Sequence, residues 1–200
     1  MRITKDNINQ FIEGTKMNCD NMDITHIDYI PDNITELYCY NNQLTDLPIL
    51  PESLKRLNCY NNKLTELPKL PESLIELSCL YNKLTKLPKL PNSLIGLYCD
   101  NNQLTDLPIL PESLKYLYCE NNKLTQLLPM GDSYGIPRLP ESLKYLYCYD
   151  NQLTSLPKLP ESLKVLNCYD NNLPYPITID NVKEHNTLLK RKEILKRICV

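Results

Sequence analysis

The residues of this chain whose types could do chemistry are nine cysteines, two histidines and a recurring serine. Eight cysteines fall in register: Cys19, Cys39, Cys59, Cys79, Cys99, Cys119, Cys148 and Cys168. Thiolates hold metals, but zinc sites usually place two cysteines two to four residues apart, and here no spacing is under 20. Neighbouring parallel strands point such side chains the same way, a poor start for disulfide geometry. Buried thiols behave as small hydrophobes. The spacing therefore reads as a reduced packing ladder in an intracellular chain; oxidation between neighbours or metal uptake is the alternative. Cys199 stands outside the ladder. His26 and His185 are isolated near opposite ends, and Ser53, Ser73, Ser93, Ser113, Ser142 and Ser162 have no histidine beside them. There is no Gly-rich phosphate loop and no grouping of nucleophile, base and orienting third group. The expectation is a chain without enzymatic activity, cofactor or metal.

What positions the thiols is one stretch written over and over. Its cleanest copy is Leu54 to Ser73, LKRLNCYNNKLTELPKLPES. The first six cysteines, and the last two, are 20 residues apart. The gap from Cys119 to Cys148 is 29, so nine residues are inserted, at 127–135. The first copy is degenerate, with Met17 at a leucine position and Met22 at an asparagine position. This wording resembles the leucine-rich repeat at the short end of its period range. Each unit should open with a short strand such as Arg56 to Cys59, Leu57 and Cys59 inward and Arg56, Asn58 and Tyr60 outward. Eight units stacked in parallel would make a sheet about 34 Å across. The return side, Leu64 to Ser73, is too rich in proline for a helix and should run extended or polyproline-like.

The predicted fold class is a leucine-rich repeat solenoid. It has a parallel β-sheet on the concave side, extended convex segments and helical caps. Residues 1–16 should be an N-terminal cap, with Asp6 capping a short helix that carries Ile8, Phe11 and Ile12 and stops at Gly14. Residues 17–175 hold eight repeats, and 176–200 a C-terminal capping helix with Asp180 as N-cap. Lys190, Arg191, Lys192, Lys196 and Arg197 suit the helix dipole at its end; the same residues also fit a basic amphipathic helix for an anionic membrane surface or a partner. The insertion is open to two readings, a specific contact or a tolerated accident of repeat copying.

Two further columns are structural. Asn42, Asn62, Asn82, Asn102, Asn122, Asn151 and Asn171 should turn inward and pair backbone groups where the chain leaves the strand. The leucines of each unit should be core. The outward strand positions are different, because packing does not dictate them. Ten of the fourteen tyrosines lie there: Tyr38, Tyr40, Tyr60, Tyr98, Tyr116, Tyr118, Tyr145, Tyr147, Tyr149 and Tyr169. Arg56 shares the face. Tyrosine buries much area with little rotamer loss, which suits a binding surface; its liking for strands is the competing account. Asp100, Glu120, Asp150 and Asp170 edge the same face, as part of a groove for a basic or polar peptide or as a solvated rim.

A net charge of −2 makes nucleic acid a poor partner, and no run reaches the ~18 apolar residues that span a bilayer. The N-terminus lacks the apolar core of a signal peptide. The units Leu64-Thr-Glu-Leu-Pro-Lys-Leu-Pro71 and their copies look like the Leu-Pro-type repeats of bacterial type III effectors delivered into host cells. They also look like repeat-only proteins of giant amoeba viruses, which share the Cys-x-x-Asn wording. Some of those effectors carry a large C-terminal ubiquitin-ligase domain, and the roughly 25 residues after the last repeat are too few for one. The resemblance implies a monomeric, cytoplasmic protein-interaction module that meets a protein partner, a host protein if the chain is viral or an effector. The alternative is a substrate-recognition adaptor of a multi-protein ubiquitin ligase, docked through the terminal helix.

Overall fold

The computed structural model describes residues 1–128 and 138–198. The strands are β1 Arg2–Ile3, β2 Ile12–Glu13, β3 Lys16–Asn18, β4 His26–Ile27, β5 Glu36–Tyr38, β6 Arg56–Asn58, β7 Glu76–Ser78, β8 Gly96–Tyr98, β9 Tyr116–Tyr118, β10 Tyr145–Tyr147 and β11 Val165–Asn167, followed by the helix α1 Val182–Ile198. Eight of these strands, β3 and β5 to β11, pair in parallel in sequence order. The register sets Leu37, Leu57, Leu77, Leu97, Leu117, Leu146 and Leu166 side by side, with Met17 at the head of the row. A 20-residue unit cannot enclose a core alone, so each buries its leucines against the next. Leu37, Leu77, Leu97, Leu117 and Leu146 are fully buried, as are Cys39, Cys59, Cys79, Cys99, Cys119 and Cys148. All eight ladder cysteines are free thiols.

The strands stop one residue short of the expected Cys59 end, although the ladder continues beyond them, with Cys59 N–H donating to Ser78 O at 2.9 Å. The chain then turns through a left-handed residue at Asn41, Asn61, Tyr81, Asn101, Asn121, Asp150 and Asp170, with φ between 50° and 54°. Asn and Asp tolerate that conformation better than other residues with side chains. Each inward asparagine closes the turn. Asn62 Nδ2 lies 2.9 Å from Cys39 O, 3.1 Å from Cys59 O and 3.3 Å from Tyr60 O, and its Oδ1 accepts from Leu44 N–H at 3.0 Å. Among the described residues the return side carries no helix. There Ser53, Ser73, Ser93, Ser113, Ser142 and Ser162 each place a hydroxyl 2.6–2.7 Å from two carbonyl oxygens of the preceding unit. These serines pin neighbouring units together.

The N-terminal cap differs from expectation. Its helix is a single 3-10 turn, Ile8–Phe11, with Asn7 rather than Asp6 at the N-cap position. Gly14, at φ +61°, turns the chain so that β2 pairs antiparallel with β3. A helix would leave the hydrogen-bonding edge of β3 bare, whereas a strand satisfies it. β1 pairs in parallel with β4 in a second, two-stranded sheet. At the other end α1 closes the array. Asn186 clamps Leu159 with its amide, accepting from the N–H at 2.9 Å and donating to the carbonyl at 2.8 Å. His185 is 2% exposed, its Nδ1 2.9 Å from Tyr175 Oη and its Nε2 3.1 Å from Pro157 O. Of the insertion, Leu127 is buried and Leu128 packs on the core; residues 129–135 and Cys199 lie outside the described residues.

Candidate functional site

Alternation on three-residue strands leaves three outward columns. The first runs Lys16, Glu36, Arg56, Glu76, Gly96, Tyr116, Tyr145 and Val165, and the second Asn18, Tyr38, Asn58, Ser78, Tyr98, Tyr118, Tyr147 and Asn167. The third, just past the strand ends, holds Asp20, Tyr40, Tyr60, Leu80, Asp100, Glu120, Tyr149 and Tyr169. All ten tyrosines named from the sequence, and Arg56, belong to these columns. Nine of the tyrosines are half-buried and Tyr169 is exposed.

Strand pairing brings the tyrosines into contact along each column. Tyr118 and Tyr147 stack with ring centroids 4.5 Å apart and planes 17° from parallel. Tyr98 joins them at 5.0 Å from Tyr118. Tyr116 and Tyr145 stack at 5.1 Å, Tyr149 and Tyr169 at 4.7 Å, and Tyr40 and Tyr60 lie 6.2 Å apart. Tyr81 occupies the left-handed turn column, off the strand face. Its ring nevertheless meets Tyr60 edge-on at 5.7 Å. Burial raises the hydroxyl pKa of Tyr98 and Tyr118, and neighbouring carboxylates and tyrosines raise it further.

Charge divides the face in two. In the N-terminal half Arg56 reaches Glu36 at 3.2 Å and Glu76 at 3.6 Å. The Lys16 ammonium stands 4.6 Å over the Tyr38 ring, and Tyr38 Oη donates to Glu36 Oε2 at 3.1 Å. In the C-terminal half Asp100 and Glu120 are 7% and 8% exposed, so a solvated rim is not their environment. Asp150 and Asp170 are exposed and sit in the left-handed turn column, off the strand face. Asp100 accepts from Asn101 Nδ2 at 2.9 Å, while the buried Oε2 of Glu120 has no hydrogen-bond partner among the described residues. Burial, with a contribution from Asp100, pushes the Glu120 carboxyl up to about 7, and burial raises that of Asp100. Sequence reasoning placed both acids on the face; their burial follows from the neighbouring units, which the pattern alone does not reveal.

Other chemistry finds little here. Among the described residues no three His, Cys, Asp or Glu side chains are grouped to hold a metal ion. Burial lifts the Cys59 thiol to about 12, far from the thiolate that reacts or binds metal. The repeat serines are bonded to carbonyls, and among the described residues neither histidine is bonded to a serine or a thiol. Among the described residues no helix is long and apolar enough to cross a membrane.

A family model described as leucine rich repeats (2 copies) matches residues 32–72. No curated protein matches the chain. The leucine-rich repeat domain of a Shigella effector superimposes with a TM-score of 0.67 at 34% identity, covering 84% of this chain and 74% of that one. YopM of Yersinia pestis, a leucine-rich effector protein, superimposes with a TM-score of 0.61 at 30% identity, covering 85% of this chain and 58% of its own length. The leucine-rich repeat domain of APL1B, 20% identical with a TM-score of 0.59, shares the fold. With the leucine row, the asparagine turns and the stacked parallel strands all in place, this chain belongs to the leucine-rich repeat family.

Proposed function

We propose that the tyrosine-lined sheet face is a non-catalytic binding surface for a protein partner, a host protein if the chain is deployed inside a host cell. One observation carries this reading. Tyr118 and Tyr147 stack, with Tyr98 tilted against Tyr118, on positions that the core leaves free, beside the stacked pair Tyr116 and Tyr145. Solenoids use such extended faces for recognition, and preformed aromatic slabs lose little entropy on binding. The resemblance to effector repeat domains supports the reading and is silent on the partner.

Replacing Tyr118 and Tyr147 by alanine tests it. The circular dichroism spectrum should stay that of the parent. Affinity for a partner captured from the native cell and identified by mass spectrometry should fall by about 2 kcal/mol or more, as for hot-spot residues. Unchanged affinity in the double variant removes this face from the account.

A second reading rests on the terminal helix. Ile194 and Leu195 are 46% and 59% exposed on α1, and an adaptor docked through that helix would cover them. Serine at both positions should abolish docking in that case and leave binding at the tyrosine face intact.

A further inference from the structure

We propose that the C-terminal end of the stack docks an extended segment of a protein partner, added beside β11 as a further parallel strand and carrying the wording Ser-Leu-x-x-Leu. The site lies at the end of the array and is separate from the tyrosine face.

Filled copies of the site show what it takes. Ser162 Oγ lies 2.6 Å from both Glu141 O and Leu143 O, and five more serines make the same clasp on the unit before them. The leucine that follows each serine is buried. The next two N–H groups share one carbonyl, as Lys164 and Val165 donate to Lys144 O at 2.8 and 3.1 Å. The last unit presents the same acceptors, Glu161 O, Leu163 O and Lys164 O, and none of them is bonded among the described residues. β11 ends the strand order. Its Val165 N–H and Asn167 O serve β10, so the N–H and C=O of Leu166 point to the free side.

The chain covers its last unit on either side of this gap. Asn186 and His185 of α1 meet Leu159 and Pro157 O. Ile177 O stands 3.2 Å from Cys168 Sγ, in the place that Ser78 O of the next strand takes beside Cys59. Between these contacts α1 stands off the last unit, leaving a groove of about 1140 Å³ lined by Glu161, Leu163, Val182, Thr187, Lys190 and Ile194 among others. The opposite end of the sheet has no such gap, because β2 pairs with β3 there.

The unbonded carbonyls and the edge of β11 select the occupant. An open strand edge is a template for another chain; its main-chain bonds supply affinity, and the side chains set along it supply specificity. A partner serine would donate to Glu161 O and Leu163 O, and the second and third N–H groups after it to Lys164 O. The two leucines would cover Leu163 and Leu166 and meet Ile194, which is 46% exposed. Ile177 already holds the cysteine position, so the added strand ends at its second leucine. Lys183 and Lys190 on the helix wall favour an acid ahead of the serine, as Glu precedes Ser in most of the chain's own turns.

The test is a titration of the full chain with the blocked peptide Pro-Glu-Ser-Leu-Lys-Tyr-Leu, the wording found at 111–117 and again at 140–146. It is followed by NMR at the Leu166 amide and the Ile194 methyl groups. Binding should saturate, shift both signals and slow hydrogen exchange at the Leu166 N–H. The peptide with its serine replaced by alanine should bind about fivefold more weakly, as loss of one hydrogen bond does. Ile194→Glu should weaken the parent peptide about tenfold or more, as loss of a buried isoleucine contact does, and Thr187→Trp should block it by filling the groove. Both positions are exposed, and an unchanged circular dichroism spectrum checks that the variants fold. Ile49→Ala, at the far end of the array, should change nothing. Equal binding of the alanine peptide or of a scrambled peptide of the same composition overturns the site. So does affinity unaltered by Ile194→Glu and Thr187→Trp, a response confined to the tyrosine face, or no response up to the solubility limit of the peptide.

Discussion

The ring of Tyr98 lies over Gly96, so close that a Cβ on the glycine would stand 3.0 Å from Tyr98 Cε2. Gly96 is the gap in the first outward column that lets Tyr98 lie down and reach Tyr118 at 5.0 Å. Gly96→Ala should lift the ring while leaving the leucine row alone. The expected outcome is a changed Tyr98 ring signal by NMR with a loss of about 1 kcal/mol, as for a methyl forced into a packed site.

The inward asparagines hold the turns rather than any ligand. Asn62→Ala strands the Leu44 N–H, bonded to its amide, and leaves the Cys39 carbonyl with Asn42 Nδ2 alone. An unsatisfied buried group costs about 1–3 kcal/mol, and the variant should lose about that much by urea unfolding. Ile109→Ala, at a position 79% exposed, should change stability by less than about 0.5 kcal/mol in the same experiment.

The thiol ladder should be chemically silent. Cys39, Cys79, Cys99 and Cys119 are fully buried, and burial raises each thiol well above its ordinary value. In a Cys199→Ser background the native protein should take up no iodoacetamide at pH 8. Every ladder cysteine should react once urea unfolds the chain. Mass spectrometry of the labelled protein reads both states.

Glu120 should tilt the pH dependence of stability. Its folded-state carboxyl sits at about 7 against an ordinary value of 4.5, because burial and then Asp100 disfavour the charge. A group raised in this way supports the fold fully below about 4.5, and that support is lost as pH rises through about 7. Asp100, Tyr118 and Tyr149 face it, and the thiols of Cys99, Cys119 and Cys148 lie near enough to feel its charge. Glu120→Gln, which carries no charge to desolvate, should therefore raise the urea midpoint at pH 8 and leave it nearly unchanged at pH 4.

The solenoid was legible in the chain because one unit is repeated: a 20-residue period with leucine at fixed offsets has few ways to bury its apolar side other than by stacking. The inward asparagines and the ten outward tyrosines followed from the same register, since alternation on a strand fixes which side chains share a face. The sequence did not reveal the N-terminal hairpin, because Gly14 and Ile12 are read locally as a helix end, whereas the bare edge of β3 is a property of the assembled sheet. Nor did it show the burial of Asp100 and Glu120 or the pairing of Arg56 with both Glu36 and Glu76. The residues so joined lie 20 apart in sequence. Only the stacking of units brings them into contact, so which charges are neutralised and which remain open was decided by the tertiary structure.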